Sequence, residues 1–554
     1  MSSDHSFMKL IGRSLKQMKH RFAGYGTAVV RAGATGRGNR VRWGRATAGL
    51  LVASVTALMM TACGGSSSSN LQQTPNTNGV IYTFITDTPS CDLLSFGVYL
   101  VGMKLHVVGQ PASNLVTVWP TFQASAATSP VIEVSTLRDI MSVANYTTIP
   151  PGNYDQVQLK AILNYGSTYD ATQTPPVKRF VPTVTSDTIT INLSPALTIT
   201  SGKASAIKLD LNLPQTLNVD AQGQLTGTVT WVFSGYPVTA SGATGFGEMD
   251  SVYGFVRTVN SASSGAGFTG SFVMQTHTST AIGNGPAISV NLTDNTDFCM
   301  GGTCGVPVSD LNQLTTGSYI EADVYVDANG NVVAKRVQVE DRANLSQNLL
   351  AYVGPVLDIT TDNNGNVTQF DMLVRETEPP DISNIPNSLP VRVYVSQSTT
   401  FNPLLISPDL LSLASSGNLN FAANTIVPGQ EVVVHGVFSK ASGGLTTVNA
   451  NSIYPRFQSV VGTFSSLTGT PGSDNKTGAF QMAPCNGLFG GNPFMVVTDG
   501  NTVFANTGGL STLSPTSQML ARGQMYFDRS GSTINGVPIP AGTSVLLANR
   551  VRQF

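Results

Sequence analysis

Apolar side chains recur at every second position through much of residues 78–240. Val101, Met103, Leu105 and Val107 alternate with Gly102, Lys104, His106 and Val108. Ile189, Ile191 and Leu193 alternate with Thr188, Thr190 and Asn192; Ile207, Leu209, Leu211 and Leu213 do so with Lys208, Asp210 and Asn212. A period of two turns one face of each strand to a core and the other to water. One stretch departs from it. Leu137, Ile140, Met141 and Ala144 share a helical face behind Ser135 or Thr136 as cap, which predicts a short helix. "IPPGNYDQVQLK" then turns the chain into another alternating strand at Val157, Leu159 and Ala161. A β-sandwich over 78–240 fits this pattern best.

Past a Gly/Ser-rich join near 240–248 the chain repeats itself. "GFV" at Gly254, "GPV" at Gly354 and "GTF" at Gly462 open three units. Thr296, Thr399 and Thr502, each two residues before a Phe, follow at intervals of 103 residues. "AKRV" at Ala334, "ANSI" at Ala450 and "ANRV" at Ala548 close them. Three marks in one order, three times over, define repeats at 249–345, 349–455 and 456–554.

In the first unit strands are predicted at Gly254–Val259, Phe272–Gln275 and Ile288–Leu292, then a helical piece at Ser309–Leu314. A hairpin follows, with Ile320, Ala322, Val324 and Val326 on one face, a two-residue turn at Asn329-Gly330, and Val337 and Val339 returning. The second unit has a matching helix at Pro408–Ala414 with Ser407 as cap. Three strands, a helix and two strands is the order of an OB-type barrel. The expected fold is therefore all-β: an N-terminal sandwich followed by three small OB-like barrels.

The charge is split. Residues 1–46 carry ten Lys/Arg against Asp4, whereas residues 63–554 carry twenty Lys/Arg against thirty acids. An acidic body does not attract phosphate backbones, so nucleic acid is an unsuitable partner. Ala46–Ala62 is an uncharged run of seventeen residues behind Arg37, Arg40, Arg42 and Arg45. A basic segment, an apolar core and small residues before a cut site make a secretory signal, and seventeen residues is at the short limit for a membrane span. Met60-Thr61-Ala62-Cys63 resembles the lipobox of bacterial lipoproteins. That resemblance implies removal of residues 1–62 and acylation of Cys63, with 63–77 as a flexible tether. It also implies export to the envelope, and Gly64 after the cysteine points to the outer membrane, facing the periplasm or cell surface.

Four cysteines remain in an oxidising compartment. The loop Cys299-Met-Gly-Gly-Thr-Cys304 favours a bridge between its ends; Cys91 and Cys485 either pair or stay as thiols. No cysteine or histidine cluster has metal-ligand spacing, and no cofactor is implied. His106, His277 and His435 fall in separate domains and read as strand-surface residues. Asp327-Ala-Asn-Gly-Asn331 and Asp362-Asn-Asn-Gly-Asn366 lack the acids of a calcium loop and read as hairpin turns. Thr86-Asp87-Thr88-Pro89 reads as a turn. Tyr253, Phe255, Tyr319 and Tyr325 could face a sugar but read first as packing residues.

"ITDTPSCDLLSFGVYLVGMKLH", "IPPGNYDQVQLKAIL" and "ITSGKASAIKLDLNL" resemble a bacterial lipoprotein domain known only as domain of unknown function 4382. The three later units resemble its companion, domain of unknown function 5666. These resemblances imply an exported, β-rich envelope protein and bring no activity or catalytic residues. No nucleophile elbow, zinc-protease motif or phosphate loop is present. The expected function is a non-enzymatic, lipid-anchored binding or scaffold module, with the membrane and an envelope glycan or protein as partners. The alternatives are a glycan hydrolase, marked by two carboxylates facing across a cleft, and a small-ligand carrier, marked by an enclosed apolar pocket.

Overall fold

A computed structural model describes residues 78–554 apart from 89, 92, 119–130, 138–141, 181–186, 220–224, 241–244, 261–266, 277–286, 301–302, 307–313, 340–349, 379–387, 402–409, 411–418, 440–444 and 516. Cys63, His277 and, Leu314 and Leu410 excepted, the two expected barrel helices lie outside the described residues.

Two sheets build the N-terminal domain. One runs Phe233–Val238, Ala204–Asn212, Gly79–Thr88, Ser142–Ile149, with a parallel pair at its centre. The other is built on Leu93–Val107 and Gly152–Tyr169, which pair antiparallel over most of their length. Ile81, Ile85, Leu209 and Leu211 from the first sheet meet Phe96, Met103, Val157 and Leu159 from the second in one core. The alternation read in the sequence is thus a sandwich whose two sheets face each other across one core.

Two local expectations fail here. Of the helix predicted from Leu137 to Ala144, Ile140 and Met141 lie outside the described residues; a 3₁₀ turn, Val134–Thr136, capped by Glu133, precedes it, and Ala144 lies within the strand Ser142–Ile149. Pairing with Gly79–Thr88 supplies hydrogen bonds along the strand, and the β-branched residues Val143, Thr147, Thr148 and Ile149 suit a pleat better than a helix. Likewise Thr86, Asp87 and Thr88 end a strand rather than form a turn, and Asp87 is buried.

Each repeat is a closed five-stranded barrel of OB connectivity. In the first barrel, Gly247–Asn260 pairs with Gly270–Thr276 and Tyr319–Val326, Ala287–Leu292 joins Gly270–Thr276, and Val332–Val339 joins Tyr319–Val326. A short parallel contact between Ala287–Leu292 and Val332–Val339 closes the circle. The second barrel repeats this with Leu350–Thr361, Val367–Val374, Leu389–Tyr394, Glu431–Ser439 and Thr447–Pro455. The third does so with Phe457–Thr468, Gly478–Pro484, Phe494–Thr498, Gln518–Asp528 and Thr543–Gln553. In the third barrel a 3₁₀ turn, Leu510–Thr512, stands between the third and fourth strands.

The Asn329-Gly330 hairpin is longer than the two-residue turn expected. Asp327–Asn331 forms the loop, in which the Asp327 carboxylate accepts from the amides of Asn329 and Asn331, and Gly330 takes φ +84°. Asp362 does the same with Asn364 and Asn366, bonds that hold its carboxyl below the ordinary carboxylate range. Both calcium-like motifs are turns whose carboxylate is taken up by its own loop.

The domains are packed together. Tyr82, Phe84 and Ala206, on the far face of the first sheet, share a core with the first barrel, and Tyr82 donates to the Gly330 carbonyl at 2.7 Å. The outer face of the third barrel, at Ala479, Met495, Val497, Tyr526 and Leu547, belongs to the same buried cluster as the second barrel's interior. Only Arg456 separates the last strand of the second barrel from the first strand of the third. Cys91 of the sandwich is bridged to Cys485 of the third barrel, with Cα atoms 5.4 Å apart, across 394 residues of sequence. Cys299 is also disulfide-bonded; the side chain of Cys304 lies outside the described residues.

Candidate functional site

The three marks of the repeat have one physical origin. At the opening glycine the neighbouring strand comes so close that a Cβ on Gly254, Gly354 or Gly462 would strike the carbonyl of Gln275, Leu373 or Ala483 respectively. The mid-unit threonine and the closing alanine are two ends of a single hydrogen bond. Thr296, Thr399 and Thr502 donate Oγ1–H to the carbonyls of Ala334, Ala450 and Ala548, each at 2.9 Å. The same hydroxyl accepts the amide of the residue three back: Thr293, Ser396 and Asp499. This latch docks the following short segment parallel to the fifth strand.

The latch sets up a row of three outward residues across adjacent strands. In the first barrel Asp297 lies opposite Arg336, which lies opposite Asp323. In the second the row is Thr400, Ser452, His435, and in the third Val503, Arg550, Arg522. All three barrels carry a register shift directly after the last-named residue, so the positions correspond. The first row is acid–base–acid and closed by an Arg336–Asp323 ion pair at 3.3 Å. The third sets Arg522 opposite Arg550 on the neighbouring strand.

The rows of the first and third barrels line one cleft of about 790 Å³. Its first wall adds Glu248, which pairs with Lys335 at 3.1 Å, together with Asp294, Asn295 and Tyr325. Its second wall adds Asn501, Asn549 and Phe457, whose ring lies 5.7 Å from the Arg522 guanidinium. Asp499 also borders the cleft, but its Oδ1 accepts from the amides of Asn501 and Thr502. Arg522 is 6 % exposed, and its Nη1 donates to Ser459 at 3.5 Å.

Behind the cleft is a dry charge cluster drawn from several domains. Arg375 pairs with Glu431 at 2.7 Å and donates from Nε to the Leu94 carbonyl of the sandwich. Arg456 pairs with Glu321 of the first barrel at 3.2 Å; burial, and then the nearby Arg522, lower its pKa to about 9. Burial, reinforced by Glu431, Glu133 and Glu321, pushes the Glu376 carboxyl up to about 8 against the pull of Arg375. Glu133 itself accepts from Ser95, Ser135 and the Phe96 amide.

Of the described residues singled out in the sequence, Tyr325 and Ala334 border the cleft, and His106, His435, Phe255 and Tyr319 do not. His106 bonds Asp155 at 2.7 Å, which raises its pKa, and His435 meets the Tyr454 ring edge-on. Phe255 and Tyr319 face each other across strands at 5.1 Å, as packing residues do; the side chain of Tyr253 lies outside the described residues. Among the described residues no group of three or more His, Cys, Asp or Glu is placed to hold a metal ion, and no helix is long and apolar enough to cross a membrane. Arg522 and Arg550 were missed in the sequence, although aligning the closing marks puts Arg550 level with Arg336. No family model matches the chain, and no curated protein matches it either.

Proposed function

We propose that the protein is a lipid-anchored binding module of the bacterial envelope, held by acylated Cys63 and recognising its ligand in the cleft between the first and third barrels. The observation that carries the binding reading is the pairing of two repeat-equivalent edges, of opposite charge character, in one open groove. A groove lined by Asn, Asp and Arg with two aromatic rings suits a hydrogen-bonding ligand. The disulfide and the buried ion pairs favour a pre-organised site over one assembled on binding. The anchor follows from the signal-like segment, the lipobox-like Met60–Cys63 run and the Gly/Ser tether in the sequence.

The anchor is tested by growth with labelled palmitate, where label is expected on the wild type and not on Cys63→Ser. The site is tested by co-sedimentation of the Cys63→Ser chain, which lacks the lipid, with isolated sacculi and outer-membrane fragments. The Cys63→Ser protein is expected to sediment, and the same protein carrying Asn549→Trp, which fills the cleft, to stay in solution. Equal sedimentation of both proteins would remove the cleft from the reading.

A further inference from the structure

We infer that the protein carries a second ligand site, a groove where the sandwich meets the second and third barrels, and that it takes a free, uncharged oligosaccharide. The inference does not rest on the cleft between the first and third barrels. The groove has a volume of about 650 Å³, within the range of small-ligand sites. Four of its described lining residues are aromatic: Tyr169 from the sandwich, and Phe489, Phe494 and Phe527 from the third barrel. Two of these rings are seated on a glycine of a neighbouring domain. A Cβ on Gly487 would run into the Tyr169 ring, and one on Gly429 of the second barrel into the Phe489 ring. Phe494, itself buried, stacks on Phe489 with ring centres 5.7 Å apart. Cys485, two residues before Gly487, is bridged to Cys91, so a covalent bond holds the sandwich wall to the barrel wall. Tyr169, Phe489 and Phe527 remain half-buried, and each keeps surface for a ligand.

The polar side of the groove is almost uncharged. Gln173, Asn492, Thr543 and Ser544 line it beside Asp358, the one charged side chain among its described lining residues. The side chains of Asn492, Thr543 and Ser544 hold no hydrogen bond among the described residues. Asp358 Oδ1 accepts the Ile359 amide at 2.8 Å, which leaves Oδ2 to accept from a hydroxyl. An oxyanion finds no Lys, Arg or His in this lining to pair with. A cation meets a single exposed carboxylate, already half engaged. A wholly apolar ligand would strip water from Asn492, Thr543 and Ser544 and give nothing back. A sugar satisfies both halves of the groove. Its C–H faces lie on aromatic rings, and its hydroxyls donate to and accept from amides, hydroxyls and a carboxylate.

The full chain in a sugar-free detergent is titrated calorimetrically with maltotriose, cellotriose and tri-N-acetylchitotriose, and with trigalacturonate, choline and tetraproline. At least one of the three neutral sugars is expected to bind, and the one that binds tells a plain hexose from an N-acetylhexosamine source. The charged probes and the peptide are expected to stay silent. Asn492→Ala, at an exposed position that does not threaten the fold, is expected to weaken the sugar about fivefold through one lost hydrogen bond. Tyr169→Leu keeps apolar packing and removes the ring face, and is expected to weaken it about tenfold.

Silence of all three neutral sugars, binding of trigalacturonate or choline at least as tight as theirs, or affinity unchanged in Asn492→Ala overturns the inference. Binding of tetraproline in place of the sugars also overturns it and reassigns the groove to a proline-rich peptide. The sugar that binds, added in excess to the sedimentation assay, is expected to leave sedimentation unchanged. Loss of sedimentation there would move envelope attachment from the cleft to this groove and leave the inference standing.

Discussion

In the first barrel Arg336 is flanked by Asp323 and Asp297; in the third, Arg550 is flanked by Arg522 and Val503. Around these rows the two barrels share one strand connectivity. Both close through a threonine bonded to an alanine carbonyl at 2.9 Å, both open on a glycine crowded by a neighbouring carbonyl, and both carry the same bulge in the fourth strand. Residues kept identical between the barrels are those the backbone requires. The residues that differ in these rows line the space the barrels share.

The barrels are also held to the sandwich by unlike means, which gives the sharpest way to separate them. The third is bridged through Cys91–Cys485 beside an apolar contact of Leu488 and Phe489 with Leu94 and Tyr169, whereas the first rests on apolar packing and the Tyr82–Gly330 bond. Cys485→Ser should cost about 2–4 kcal/mol, because the bridge closes a very long loop in the unfolded chain. Hydrogen exchange is expected to show the loss in Gln518–Asp528 and leave Tyr319–Val326 of the first barrel unchanged. Equal loss in both would mean that the barrels unfold as one unit.

The shared frame is tested by removing the latch from each barrel in turn. Thr502 is fully buried and Thr296 nearly so, and each satisfies a carbonyl and an amide at once. Replacing either hydroxyl by a methyl, as Thr502→Val and Thr296→Val, should cost about 1–3 kcal/mol by leaving buried partners unsatisfied. Urea denaturation should give similar losses for the two variants. A loss confined to one would break the equivalence of the repeats.

Much of this frame could be read from the residues. The period-two runs gave the sandwich strands, and the Gly, Thr and Ala marks gave three barrels, because each mark answers a local steric or hydrogen-bonding demand. The end of the helix expected from Leu137 is strand from Ser142 on, because a helical face of four residues is a weak preference beside an available sheet edge. The cleft was hidden for another reason. Arg522 and Arg550 are adjacent only through strand register, and Asp297 faces the same space only through the packing of two barrels far apart in the chain. The Cys91–Cys485 bridge depends on a different packing, that of the sandwich with the third barrel, across 394 residues of sequence.

The charge cluster behind the cleft distinguishes the barrels again. Glu321 comes from the first barrel, Glu376 and Glu431 from the second, Glu133 from the sandwich, and none of these four carboxylates from the third. A carboxyl raised to about 8 in the folded protein binds its proton more tightly there than in the unfolded chain. Its effect on stability is therefore absent at low pH and becomes an increasing penalty as pH rises from the ordinary glutamate range to about 8. Glu376→Gln removes that slope and should be more stable than wild type at alkaline pH by about 1–2 kcal/mol, with little difference at acid pH. Thermal melts of both proteins across this range check it, and parallel profiles would contradict it.

The smallest effect concerns how the first barrel is seated. Tyr82 lies on the face of the sandwich sheet that packs against this barrel, and its hydroxyl donates to the carbonyl of Gly330 at 2.7 Å. That glycine sits at φ +84° in the Asp327–Asn331 loop, where an added Cβ would also run into Ala204. Tyr82→Phe keeps the ring and removes one bond, so the loss should be about 1 kcal/mol. Gly330→Ala adds strain and a clash and should cost more than Tyr82→Phe. If packing alone seats the barrel, Tyr82→Phe leaves exchange of the Asn331 amide unchanged; if the bond also fixes the loop, that amide exchanges faster while Gln518–Asp528 is unaffected. The second outcome is expected, because Tyr82 and Asp327 hold the carbonyl and the amide of the same Gly330–Asn331 peptide.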